Sequence, residues 1–143
     1  MLSRLIYHSK GDVSSEQLSA ILAASRANNP GVGATGVLFY KRPHFVQVLE
    51  GSRSAISRLF VKIAADPRHT DATIMDMRSI DARSFPTWAM ADLSVIILGR
   101  EAWRRIGRTE FQPETMTAES VLAFIAGLAI ELAAADGRRI AAA

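Results

Sequence analysis

Two stretches of helical periodicity, each closed by a proline, split the first 93 residues into an alternation that few folds can absorb. Ser14 and Gln17 are spaced as a capping box, and Leu18, Ile21, Leu22 and Ser25 follow at i, i+3, i+4 and i+7. Asn28-Asn29-Pro30-Gly31 ends this helix, because Pro30 cannot continue it and disfavours the α region for Asn29. The second helix opens at Ser52 or Ser54, carries the stripe Ile56, Leu59, Phe60 and Ile63, and stops at Asp66-Pro67. Residues 2–9, 36–40, 45–50, 73–80 and 88–93 read as strands, with Lys41-Arg42-Pro43-His44 as a hairpin loop.

The order is therefore βαββαββ. Two crossovers of one hand place both helices on one face of a mixed five-stranded sheet, an α+β, ferredoxin-like arrangement. Residues 100–106 and 118–135 are helical in composition, and these C-terminal helices are expected to cap the other face. Val121, Leu122, Ile125, Leu128, Ala129 and Leu132 form the stripe that would pack there. Phe124 and Ile130 fall away from its centre and are candidates for a contact with another subunit or a partner, or else belong to a wide core-facing stripe on a well-buried helix.

Composition removes several functions. With no cysteine there is no disulfide framework, thiolate metal site or cysteine nucleophile. Seventeen Lys+Arg against fourteen Asp+Glu leave a diffuse +3, too weak a signal for nucleic acid. His8, His44 and His69 match no common zinc spacing. PGVGATG lies between a helix and a strand, the reverse of a phosphate-binding loop, so its glycines serve a tight turn. No apolar run is long enough to span a membrane and the start lacks a signal-peptide pattern, so a cytoplasmic protein is expected.

Five stretches, LIYHS, SRANNPGVGATGVLFY, FVQVLEG, DPRH and FPTWAM, occur in this order between Leu5 and Met90. Together they resemble the BLUF family, flavin-binding blue-light sensors. The resemblance implies a sensor core at residues 1–95 and a helical cap of the same domain at 96–143. It implies a photoreceptor without turnover, holding flavin non-covalently, with FAD placed ahead of FMN.

The resemblance also assigns roles. Tyr7 is the electron donor and Gln47 the proton relay, ending rotated or tautomerised, while Asn28 and Asn29 meet the polar edge of the ring. Ile21 and Ile63 sandwich the ring between the two parallel helices, with Ser25 on the same helix as Ile21. Lys62, Asp66, Arg68 and His69 match the region that handles the ribityl chain and phosphate. Trp88 and Met90, two apart on one strand and so on one face, are alternatives for the place beside Gln47. Without the resemblance, Tyr7 reads as a core tyrosine and the asparagines as helix-end residues. Gln47 is the less ordinary residue, since a buried amide must be paired.

Two rivals come from other classes. An acylphosphatase-like ferredoxin-fold enzyme would use Arg26 and Asn28, and an RNA-binding sheet would expose Phe39, Tyr40 and Phe45. Under the leading reading no output enzyme follows the sensor. The signal leaves through the fifth strand and the C-terminal helices, to a separate protein in trans or through a homo-oligomer.

Overall fold

Strand β1 (Leu2–Lys10) leads to helix α1 (Ser15–Asn28), then to the hairpin β2 (Thr35–Lys41) and β3 (His44–Ser52). Helix α2 (Arg53–Ala64), strand β4 (Thr70–Ser79), the short strand β5 (Ala91–Asp92) and helix α3 (Ala118–Ala142) follow. The computed structural model describes residues 1–85, 88, 90–92 and 110–142, with side chains up to residue 134. The expected helix at 100–106 and the strand residues beyond 92 lie outside these.

Local chemistry sets the boundaries. The Ser14 side chain accepts from the Gln17 N–H and Gln17 reaches back to the Ser14 N–H, the reciprocal box expected. Ser52, not Ser54, caps α2 by accepting from the Ala55 N–H. After Asn29 a single 3-10 turn, Pro30–Val32, ends at Gly33 with φ 69°, a left-handed value glycine adopts without strain.

The sheet order is β4-β1-β3-β2-β5, antiparallel except for the parallel β2–β5 pair. Each of the two βαβ units therefore skips a strand, as the ferredoxin-like arrangement requires. Leu2 pairs with Ser52 and Lys10 with Thr70, so α1 starts at the end of β1 where α2 finishes. The two helices thus lie on one face but run in opposite directions, a correction to the parallel pair expected.

Strand alternation sorts the core into two layers. Leu5, Tyr7, Leu38, Phe45 and Leu49 face α1 and α2, together with Leu22 and Ile56. Ile6, Val37, Phe39, Val46 and Val48 face α3, against Val121, Ile125, Leu128 and Ala129. The α3 stripe packs as its spacing predicts, and Ile130 is exposed. Of the two readings open for Phe124, the wide core-facing stripe holds: it is buried, edge-on to Phe39 at 5.3 Å and stacked on Phe111 at 5.5 Å.

Glu50 is a carboxylate with 0% exposure on this second face. It stands directly across from Arg4, whose Nε–H donates to it at 3.1 Å. The Ser84 and Phe85 N–H groups donate to the same carboxylate at 3.0 and 2.8 Å. Arg83 adds bonds to the carbonyls of Gly33 and Glu50 and to the Thr35 hydroxyl. A buried ion is tolerable only when so fully paired. Its effect is to tie the segment after β4 onto the centre of the sheet.

Candidate functional site

Tyr7 and Gln47 are directly opposed in the antiparallel β1–β3 register, which puts both side chains on the α1/α2 face. Tyr7 is 3% exposed and Gln47 4%. The Tyr7 hydroxyl donates a short hydrogen bond to Gln47 Oε1. The Gln47 Nε2–H group in turn donates to Met90 Sδ at 3.4 Å. Burial pushes the Tyr7 phenol far above its ordinary pKa, and the negative charge of Asp66 pushes the same way. Tyr7 is consequently a neutral phenol whose single proton is already aimed at the amide oxygen. Its ring is held edge-on by Phe60, 5.4 Å between centroids.

A cleft of about 190 Å³ opens between α1 and α2 beside this pair. Ile21, Ser25, Asn28 and Asn29 line it from the α1 side; Lys62, Ile63, Asp66 and Arg68 line it from α2 and its exit; Gln47 forms part of its floor. A smaller cavity of about 50 Å³ shares Ile21, Ser25, Gln47, Ile63 and Asp66 and adds Tyr7 and His69. Every residue assigned to cofactor binding from the sequence thus borders one of two neighbouring cavities. Asn29 is buried at the end of α1, and its carbonyl accepts from the Val32 and Ala34 N–H groups. Leu49, Leu59 and Ala24 also line the cleft and were missed. The alternation of β3 and the stripe of α2 would have pointed to the two leucines.

At the α2 end, Arg68 Nε–H donates to both Asp66 oxygens at 3.0 Å. That bond holds the Asp66 carboxyl below the usual carboxylate range. His69 is engaged within the protein on both ring nitrogens: Nδ1 is 2.8 Å from Ser9 Oγ and Nε2 is 2.6 Å from the Ile63 carbonyl. A carbonyl only accepts, so Nε2 carries a proton. His69 bolts the end of α2 to β1 and forms cavity wall.

Trp88 and Met90 do not share a face. Strand β5 begins only at Ala91, so the alternation rule does not reach them. Met90 is 2% exposed in the layer under the cleft. Trp88 packs against the opposite layer and stacks on Phe85 at 6.4 Å and 15°. Arg26, weighed only for the phosphatase rival, donates from Nε to the Met90 carbonyl at 2.9 Å. The RNA-binding rival fails on burial, since Phe39 and Phe45 are 2% and 4% exposed and Phe39 lies beneath α3.

The donor set fits a flavin. An isoalloxazine is a flat, largely apolar plate with an amide-like edge and a phosphorylated tail. Ile21, Leu49, Leu59 and Ile63 supply apolar wall, the carboxamides of Asn28, Asn29 and Gln47 match an amide edge, and Lys62 and Arg68 supply cations. Among the described residues, no cluster of ligating side chains could hold a metal ion.

A family model described as BLUF, sensors of blue-light using FAD, matches residues 2–91. The beta subunit of photoactivated adenylate cyclase from Euglena longa is 40% identical over 74 residues, which are 51% of this chain and 9% of that protein. This chain therefore spans only a small part of the length of the cyclase it matches. BlsA in its photo-activated state superposes with a TM-score of 0.79 at 30% identity, over 90% of this chain and 94% of that one. The dark-state structure of BlrB, a BLUF protein, gives 0.69 at 32% identity, over 89% and 93%. With the family model covering most of the sequence and the fold, the tyrosine–glutamine pair and the cleft all in place, the chain belongs to the BLUF family of flavin-binding blue-light sensors.

Proposed function

We propose that this protein is a photoreceptor in which Tyr7 gives up an electron and a proton and then takes both back, Gln47 carries the proton and is left rotated or tautomerised, and Met90 reads the orientation of Gln47. Bound flavin supplies blue-light absorption and an electron acceptor. The residues that would hold it are Ile21 and Ile63 at the ring, Ser25, Asn28, Asn29 and Gln47 at polar edges, and Lys62, Asp66 and Arg68 toward the tail. His69 supports that end of the cleft through Ile63.

The supporting observation is the hydrogen-bond chain from Tyr7 through Gln47 to Met90. A phenol buried as its neutral form loses its proton readily only along an existing bond, and that bond ends on Gln47 Oε1. A carboxamide has a donor on one side and an acceptor on the other. If Gln47 turns over, its oxygen faces the Met90 sulfur, which has no proton to give, and the Gln47–Met90 bond is lost. Met90 is followed immediately by β5, which pairs with Val37 and Leu38. A change at Gln47 thus reaches the sheet edge within two residues, and Val37 carries it into the layer shared with α3.

In this reading residues 1–95 are the sensor core and 96–143 its cap. The chain performs no turnover, works in the cytoplasm and signals to a protein in trans or across a homo-oligomer, with exposed Ile130 as a contact. Among the described residues, no helix is long and apolar enough to cross a membrane. Substituting Tyr7→Phe tests the donor: flavin should stay bound while the light-induced spectral shift disappears. A persisting shift would remove Tyr7 from the mechanism.

A further inference from the structure

Arg26 occupies the last turn of α1, beside Ser25 and one turn before Asn29, and its side chain is largely exposed. A cation at a helix C-terminus is ordinary, because it complements the helix dipole. The bond it makes is not local: Nε–H crosses to the Met90 carbonyl, 64 residues away in sequence, at 2.9 Å. Two residues earlier the Trp88 carbonyl accepts the Gly36 N–H at 2.9 Å. Met90, under the cleft, and Trp88, in the opposite layer, are therefore each fastened through the main-chain carbonyl, one by an arginine and the other by the backbone of β2. Met90 shows why the fastening by the arginine matters. A methionine is unbranched and flexible, so its sulfur stays beside Gln47 Nε2 only if its own backbone is fixed.

We propose that Arg26 is a positioning residue for the photocycle: it clamps the Met90 backbone so that Sδ remains the partner of Gln47 and resists the turning of the amide. This rests on the Tyr7–Gln47–Met90 reading. The clamp acts on a barrier. For Gln47 to turn back after illumination, its amide must sweep past a sulfur whose main chain cannot yield. Releasing the Arg26 bond lets the Met90 backbone give way, so return becomes faster. The guanidinium also belongs to the helix that lines the cleft, which couples the cofactor wall to the Met90 backbone through one side chain.

The test uses Arg26→Met, which keeps the aliphatic stem and deletes the donor, with Arg26→Ala as a second variant. In FAD-loaded protein kept dark and labelled with 13C-methyl methionine, the Met90 signal is identified by its absence in Met90→Ala. It should move toward the position of an exposed methionine in Arg26→Ala, which adds no labelled methionine of its own; an unmoved signal overturns the clamp. After blue light, dark recovery in both variants should be about threefold faster than in wild type, a modest interaction energy between residues in contact. Met90→Ala and the Arg26→Met/Met90→Ala double variant should recover at one common rate. Wild-type recovery in the Arg26 variants, or effects that multiply in the double variant, would refute the proposal. Absence of any spectral shift in wild type would instead defeat the photoreceptor reading, while the dark methionine spectra would still judge the clamp.

Discussion

Trp88 and Met90 are two positions apart and lie on opposite sides of the sheet, Met90 under the cleft with Tyr7 and Gln47, Trp88 stacked on Phe85 in the layer that meets α3. Exchanging them is not a rotamer change. It requires the main chain at both residues to move, breaking the bonds from Gly36 to the Trp88 carbonyl and from Arg26 to the Met90 carbonyl. The place under the cleft therefore belongs to the methionine, and the tryptophan stands in the layer that meets α3.

The raised pKa of Tyr7 makes an alkaline prediction with a definite sign. A phenol whose folded-state pKa lies above its ordinary 10.0 contributes stability that is full below pH 10 and is lost as pH rises beyond it. In a Tyr40→Phe background, which leaves Tyr7 as the one tyrosine, tyrosinate absorption should appear only together with unfolding. Titration near pH 10 in the folded protein would show that Tyr7 is not sealed from solvent.

Glu50 should be a stability residue. Glu50→Ala strips the partner from a nearly buried Arg4 and orphans the Ser84 and Phe85 N–H groups. A loss of about 3–5 kcal/mol is expected in urea denaturation. A loss below about 1 kcal/mol would mean that the ion pair is solvated and does not hold the segment.

Lys62 should select the phosphorylated tail over the ring. Lys62→Ala removes a cation from the cleft rim and leaves its apolar walls intact. Affinity for FMN should fall about tenfold, the value of one charge-assisted contact, while riboflavin binding stays unchanged. Equal losses for both would place Lys62 at the ring.

The two residues set aside on α3 should now separate. Phe124→Ala should cost about 3–5 kcal/mol, since it empties the aromatic cluster with Phe39 and Phe111. Ile130→Ser should change monomer stability by less than about 0.5 kcal/mol. If Ile130 seats a second subunit, the variant should lower the mass measured by light scattering.

Much of this was legible in the residues, because local signals were strong. The Ser14–Gln17 box, the two prolines and the stripes of α1, α2 and α3 follow rules of neighbouring residues, and those elements stand where periodicity places them. The short stretches that carried the family resemblance contain eight of the cavity-lining residues assigned to the cofactor, while Ile21, Lys62 and Ile63 lie on the two helices outside them. What stayed hidden depends on register and on partners far away in sequence. That Tyr7 faces Gln47, or Arg4 faces Glu50, is settled by how β1 and β3 align, which neither strand states alone. Trp88 and Met90 were misread because alternation was applied ahead of a strand that begins only at Ala91. The spacing left Phe124 open between the core and a second contact, because a stripe drawn from one helix does not say how wide its groove is, and here Phe39 and Phe111 fill the flank.

In the proposed mechanism Gln47 converts light into a rearranged hydrogen-bond network without net chemistry. The most direct test is the absorption spectrum of the FAD-loaded protein before, during and after blue light, in wild type and in Gln47→Leu, which keeps the side-chain bulk and removes both polar atoms. Wild type should show a reversible red shift of the flavin band with no bleaching, and Gln47→Leu should bind flavin and show none. Bleaching in wild type, or a normal reversible shift in Gln47→Leu, would rule this role of Gln47 out.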